Sequence, residues 1–523
     1  MSSPETTKDS EPDEDSPSEV GLSEREEEEE QKEDKNSLEH YRLAGRKPLI
    51  TILILSIGPI LSQLTSSLYG VFATIWVSKS IGEAGMTAIS TYTAFDNVGR
   101  SFGYFVSVAG SQTISSLFGE GRPEEAGQVI CDLLRVSVLF GILVPAVLCP
   151  TVKLGVQWFG ASEEIVELGY DYMLPMLVCS FFTCVFVGAG GFLQGEGKSL
   201  IYGWITIASS VANMFFLCPL FLLAFKTGIV GAGIATAISE SVPAIILVIL
   251  YFCGKFAVKP KVGQLLKKFS PYTLPALRVG LSQLIANLSV SLPGIVIRKL
   301  IGLSTRTTEE FDNALAGFNV ITRYAAITNG LLIGLTNGFL PAASYAYAAK
   351  NYKRWIRLAI HMNWLGFTWG TITSIFSYSI PNEISKIFAS SNGYLSYAGP
   401  MLTVGNALGF VVFARFTTPS MLQSMKRGIT STILSLSCQL VSIIVFAVIM
   451  YYTDKYNPTR VCWCYPLSYA FGLVVGAIVI FFPVRKMVKV IKEENEKLKN
   501  DEEEEEEDIK DHDHEEINEL SEF

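Results

Sequence analysis

The sequence predicts an all-α membrane protein: twelve transmembrane helices in two pseudo-symmetric six-helix bundles. Three observations carry that reading. The 523 residues are 49% hydrophobic with a mean hydropathy of +0.35, and the apolar residues gather in runs long enough to cross a bilayer, about 20 residues each. The run from Ser62 to Gly82 returns in weaker form, and without a gap, from Ser282 to Gly302, with Ser, Gln, two Leu, two Ile, Lys and Gly at matching places. The formal charge of −9 hides a split: residues 1–40 hold 16 acids and 4 bases, residues 493–523 hold 17 acids and 3 bases, and the body between them carries +17.

Taken in order, residues 1–47 read as an acidic disordered cytoplasmic tail, because Glu26–Glu30 and their neighbours offer almost nothing to bury. Residues 48–254 form the N-terminal bundle, with spans expected at 49–78, 87–118, 127–150, 165–188, 200–225 and 229–253. A basic linker, 255–272, leads to the C-terminal bundle at 273–490, with spans at 274–302, 312–348, 355–380, 395–417, 429–452 and 462–484. Residues 491–523, with Glu502–Glu507, read as a second acidic disordered tail. Helices are required throughout the body, since a strand edge facing lipid leaves its backbone unpaired. An insertion near Ser304–Asp312 shifts the register of the repeat, and beyond it Gln194 meets Gln423. Six spans per half start both halves on the same side, which favours a pseudo-two-fold along the membrane normal.

Lysines and arginines favour the loops on the side of the termini, among them Arg46, Lys47, Arg122, Lys198, Lys350, Arg354 and Arg427. The positive-inside rule then puts both termini in the cytoplasm. The stretch before the first span has neither a signal-peptide nor a transit-peptide character, and a plasma or vacuolar membrane is expected. Nine scattered cysteines and four histidines offer no metal site. Gly195-Glu-Gly-Lys198-Ser199 lacks the first glycine of a phosphate loop, Phe192 standing in its place, and no strand precedes it, which excludes an ATP-driven pump. The Asp-rich or His-centred motifs of membrane transferases are missing, so an enzyme is not expected. The expected partners are a small-molecule substrate and the lipid bilayer, with no nucleic acid, in a monomer. No cofactor is expected beyond H⁺ or Na⁺ as coupling ion.

Gly119-Glu-Gly-Arg122, Gln194-Gly-Glu-Gly-Lys198, Gly228 to Thr236, and Gly338-Phe-Leu-Pro341 running on to Arg354 occur in that order across residues 48–490. In this the chain resembles the multidrug and toxic compound extrusion (MATE) family. The resemblance implies an exporter with a V-shaped central cavity, driven by inward flow of H⁺ or Na⁺. Many members carry an Asp where this chain has Thr74 and another where it has Cys218, and the eukaryotic branch tends to use a Glu in the seventh span, where 274–302 has no acid. The resemblance also admits an alternative, a lipid-linked oligosaccharide flippase, which needs Arg100, Arg323 and Arg415 to converge on the centre.

Charges at membrane depth are costly and rare, which makes each a candidate. Asp96 and Glu240 are the ion-coupling candidates. Arg100 stands four residues after Asp96, on the same helix face, where a self-neutralised pair is an equally good reading. Arg323 falls close to the repeat equivalent of Asp96, so a bridge across the halves is one expectation and a cavity-lining Arg another. Asn213 and Asn287 are polar at depth and serve either the cavity or helix–helix hydrogen bonds. Tyr69 and Tyr324 offer ring faces to a cationic substrate or pack in the core. At least one of Pro59 and Pro293 is expected to bend its helix.

Overall fold

The structure, a computed structural model, describes residues 41–158, 163–387 and 391–521. The acidic stretch 1–40 lies outside the described residues. Twelve membrane helices follow one another: α1 (Pro48–Ile81), α2 (Glu83–Gly119), α3 (Ala126–Trp158), α4 (Glu163–Val178 and Ser180–Gly195), α5 (Ser199–Ala212, continued to Ala224 by π-turns), α6 (Ile229–Phe252), α7 (Thr273–Ser304), α8 (Thr308–Ala348), α9 (Tyr352–Ser379), α10 (Asn392–Gly405, then Gly409–Ser424), α11 (Gly428–Thr453) and α12 (Cys464–Ser521). Seven of these are apolar enough to span a bilayer by hydropathy alone, nine when the two bent helices are each counted whole. The other three, α2, α8 and α9, are diluted by small polar residues that face protein. In α2 these include Ser107, Ser111, Gln112, Ser115 and Ser116, all buried, with Ser115 Oγ donating to the Ser111 carbonyl at 2.7 Å. Lipid is met instead by residues such as Leu139, Ile142, Trp204, Phe216, Ile249 and Phe482, each exposed.

The repeat is visible in the backbone. Helix α4 breaks by 59° at Cys179, and α10 breaks by 43° between Gly405 and Gly409. Pro59 and Pro293, by contrast, sit inside unbroken helices. Both α5 and α11 carry a π-turn, Asn213–Leu217 and Leu436–Val441. The loops after α2 and α4 place Gly121 and Gly197 at φ 71 and 73; their repeat equivalents, Lys350 and Lys426, hold the same left-handed conformation at φ 56 and 60. Packing repeats too: α1 against α5 and α2 against α4 are matched by α7 against α11 and α8 against α10, and across the halves α1 against α8 is matched by α7 against α2.

The closest approaches between the halves cluster at the end that carries both termini. A Cβ added to Gly338 of α8 would stand 2.6 Å from the Ser56 nitrogen of α1, and one on Gly334 would stand 2.9 Å from the Ile60 nitrogen. On the other side of the pseudo-axis, Gly280 of α7 packs on the Phe105 carbonyl of α2. Small residues let these backbones meet without a side chain between them. Charged groups close the rim: Glu120 pairs with Lys426, and Arg354 donates to the Leu43 and Arg46 carbonyls at 3.0 and 2.9 Å.

The linker 255–272 is fastened to the N-terminal half by two buried carboxylates. Glu196 bonds Lys198 at 3.0 Å and the backbone N–H groups of Ala257 and Val258 at 3.1 and 3.4 Å. Burial pushes its carboxyl up from the ordinary range, against the pull of Lys198. Asp132 accepts from Ser270 N and Thr273 Oγ1 at 2.7 and 2.6 Å. At the far end, α12 continues as one helix to Ser521, through the stretch whose composition reads as disordered. Glu, Lys and Leu are strong helix formers, and residues 484–521 contain neither Gly nor Pro.

A side chain at left-handed φ costs about 1 kcal/mol that glycine avoids. Lys350→Gly is therefore expected to raise the melting temperature of the purified protein, and Gly121→Ala at the equivalent place to lower it. Thermal unfolding in detergent measures both.

Candidate functional site

The N-terminal half brings three charges together near mid-membrane. Asp96 lies on α2, which begins at Glu83, and Glu240 on α6, which begins at Ile229, both helices starting at the end away from the termini. At a helical rise of about 1.5 Å per residue, both carboxylates stand about 17–20 Å in from those first turns. Arg100, one helical turn after Asp96, donates from Nε to Asp96 Oδ2 at 2.8 Å and from its terminal nitrogen to Glu240 Oε1 at 2.5 Å. Thr183 Oγ1, just past the break in α4, donates to the other Glu240 oxygen at 2.6 Å. The Glu240 side chain is 12% exposed. A hydroxyl network continues from the same helices: Tyr69 of α1 shares a 2.5 Å hydrogen bond with Thr236, and Asn213 Nδ2 of α5 donates to Ser239 Oγ at 3.0 Å. Cys218 Sγ in turn donates to Asn213 Oδ1 at 3.1 Å.

One guanidinium between two carboxylates leaves this cluster a single negative charge. Charge-assisted contacts of this kind are strong where water is scarce, but they cannot cancel the surplus. A proton on either carboxylate, or a monovalent cation beside them, can. A proton on Glu240 weakens the contact between α2 and α6, because an uncharged carboxyl no longer attracts Arg100 as an ion.

The structure thus joins Asp96, Arg100 and Glu240 and sets Tyr69 and Asn213 in the network beside them. Asp96 is paired with Arg100 within its own helix rather than across the halves. Tyr324 donates to the Thr373 carbonyl at 2.5 Å and ties α8 to α9. Asn287 accepts from Gln283 at 3.4 Å within α7, and its Nδ2 is buried without an acceptor. Arg100, one of the three arginines that the flippase alternative needs at the centre, is paired with two carboxylates.

Thr183, Thr236 and Ser239 are the members that sequence reasoning missed. Serines and threonines crowd every span here, so no local signal marks these three. A pairing through the repeat does: Asn213 with Ser239 recurs in the second half as Ser442 with Ser468, whose hydroxyls meet at 2.6 Å.

The sequence pattern of the MatE family matches residues 59–218 and 311–449. The multidrug export protein MepA of Staphylococcus aureus (strain N315) is 21% identical over 428 residues, which cover 82% of this chain and 92% of that protein. Its namesake in Staphylococcus haemolyticus is 22% identical over 309 residues, covering 57% of this chain and 64% of that protein. Among solved structures, an outward-facing multidrug resistance MATE family transporter of the MOP superfamily superposes with a TM-score of 0.79 at 20% identity, covering 85% of this chain and 98% of that one. A MOP superfamily transporter from Pyrococcus furiosus, described as having a binding pocket of reverse polarity, gives 0.78 at 20% identity over 84% and 97%.

Removing only the cation strands two carboxylates, at a cost of about 3–5 kcal/mol for a buried pair broken on one side. Arg100→Met is expected to lower the melting temperature in detergent clearly. Adding Asp96→Asn and Glu240→Gln to it should recover most of the loss.

Proposed function

The chain belongs to the MatE family, and on that premise we propose that it is a secondary active antiporter, exporting small amphipathic organic compounds in exchange for H⁺ or Na⁺. The Asp96–Arg100–Glu240 cluster carries this reading, because its one surplus negative charge at mid-membrane gives an ion somewhere to bind. The family's usual carboxylates are replaced at Thr74 and Cys218; Glu240 supplies a carboxylate from α6 to the same helical cluster that holds Cys218 through Asn213.

Ion binding drives export only if it favours one conformation. A proton on Glu240 loosens its 2.5 Å contact with Arg100 and changes how α6 packs on α2 and α4. The two halves meet at the termini end through α1 against α8 and α2 against α7. With both termini in the cytoplasm of a cell whose plasma or vacuolar membrane holds the protein, that closed end faces inward, and the arrangement is outward-facing. Export then requires the Gly338–Ser56 crossing and the Glu120–Lys426 pair to open. The protein acts as a monomer in this account, since each half contributes to one shared path.

Proteoliposomes holding a fluorescent organic cation, with pH and Na⁺ gradients imposed separately, test the proposal. One gradient should drive transport by the wild type. Asp96→Asn and Glu240→Gln should each slow it at least about tenfold, equivalent to about 1.4 kcal/mol, while the protein still folds. Unimpaired transport in both single variants and the double variant would remove these residues from the mechanism. Gly338→Val, which drives a branched side chain into the Ser56 backbone, should likewise abolish transport by holding the termini end apart; full activity in it would sink the rocking account.

A further inference from the structure

The second half repeats the architecture of the first but not its charge. By the repeat, Glu240 corresponds to Tyr469 and Thr236 to Tyr465, while Asp96 and Arg100 correspond to Ala325 and Asn329. Between Asn313 and Thr453 the sequence holds one acidic residue, Glu383, in the short helix Pro381–Lys386 that follows α9; between Lys455 and Lys492 it holds none. Into this half α10 delivers Arg415, on the first turn of the α-helical stretch Ala414–Ser424 within its second segment.

The Arg415 guanidinium lies 6.0 Å from the Phe416 ring centroid, and Phe416 packs in one cluster with Tyr465 and Tyr469, whose ring centroids are 6.4 Å apart. Its Nε is buried and finds no acceptor. Among the described residues no carboxylate pairs with it; those ion pairs that involve arginine use Arg100, Arg122 and Arg135. The first-turn amides are already committed, Arg415 N to the Val412 carbonyl and Phe416 N to that of Phe413, both through short turns. Side chains alone therefore meet whatever neutralises this cation.

A charge at membrane depth without a counter-charge is costly, and arginine cannot escape by losing its proton. We propose that Arg415, with the hydroxyls of Tyr465 and Tyr469, forms an anion-binding subsite in the C-terminal half for the carboxylate or sulfonate of an aromatic organic compound. The guanidinium fork matches the two oxygens of a carboxylate in one plane. The two phenols add O–H donors at the positions where the first half presents Glu240 and Thr236, and the rings of Phe416, Tyr465 and Tyr469 offer apolar walls to an aromatic body. The subsite's place in export rests on the antiport reading above. It gives the exported compound an acidic group, and gives the molecule two poles, negative in one half and positive in the other.

Binding is measured apart from transport, on the purified full chain in lipid nanodiscs. The probes are naphthalene-2-sulfonate and benzoate, with phenyltrimethylammonium as a control cation. The wild type should melt about 3 °C higher in saturating anion, a size typical of ligand linkage, and any rise with the cation should be unchanged in Arg415→Gln. Arg415→Gln should lose the anion-dependent rise, and without anion it should melt at or above the wild type because the unpaired charge is gone. Tyr469→Phe, which keeps the fold's ring packing, should weaken anion binding about fivefold, and it decides the matter if Arg415→Gln does not fold. No rise in the wild type, an undiminished rise in either variant, or an anion-free melting temperature of Arg415→Gln below the wild type would overturn the proposal. Failure of gradient-driven efflux with the anion response intact would reject the antiport reading and leave the subsite standing.

Discussion

A charged side chain at membrane depth is costly unless it is paired, and the N-terminal half is arranged around that fact. Arg100 is held by Asp96 one turn earlier on α2 and by Glu240 on α6, with Thr183 of α4 on the remaining carboxylate oxygen. Three helices are thereby tied at one point, and α1 and α5 join through Tyr69 and Asn213. Desolvation makes each contact strong, and it also makes the leftover negative charge expensive. A site that is stable yet one charge short of neutral is suited to bind and release an ion.

The two halves share a frame and diverge in what they place on it. Helix breaks, π-turns, left-handed loop positions and a hydroxyl contact between the fifth and sixth helices of each half recur at equivalent places in the repeat. Glycine serves the loop positions in the first half; in the second, lysine accepts the strain, and at Lys426 it gains an ion pair to Glu120 across the interface. Glycine also serves the crossings of α8 on α1 and α7 on α2, where no other residue lets the backbones approach. The same frame thus yields two matching halves and a seam of small residues where they meet.

The spans are legible in the sequence to within a few residues at most ends, since a bilayer demands a minimum length of apolar chain; the third, fourth, tenth and twelfth run on past the expected 150, 188, 417 and 484 to 158, 195, 424 and 521. Even α2 and α8, too rich in Ser, Thr and Gly to pass on hydropathy, stand out through the repeat. The helix breaks are not legible: Pro59 and Pro293 sit in continuous helices, while α4 and α10 break at Cys179 and around Asn406, which are not prolines. At the candidate site, Asp96 and Arg100 can be paired from their spacing alone. That Glu240 completes the cluster depends on how α6 packs against α2 and α4, far along the chain from Arg100, and nothing local records it. Tyr324 and Asn287 look alike as polar groups at depth, yet one ties α8 to α9 and the other stays within α7.

Under the antiport proposal, ion occupancy of the Asp96–Arg100–Glu240 cluster sets which end of the molecule is closed. Spin labels at positions 122 and 351, on the two loops that face each other at the termini end, report that directly in nanodiscs. On a cysteine-free background their separation should shift between a short and a long population as pH or Na⁺ is varied, with the shift lost when Glu240 is replaced by Gln. A single separation, unchanged by either ion in the unmodified cluster, would contradict it.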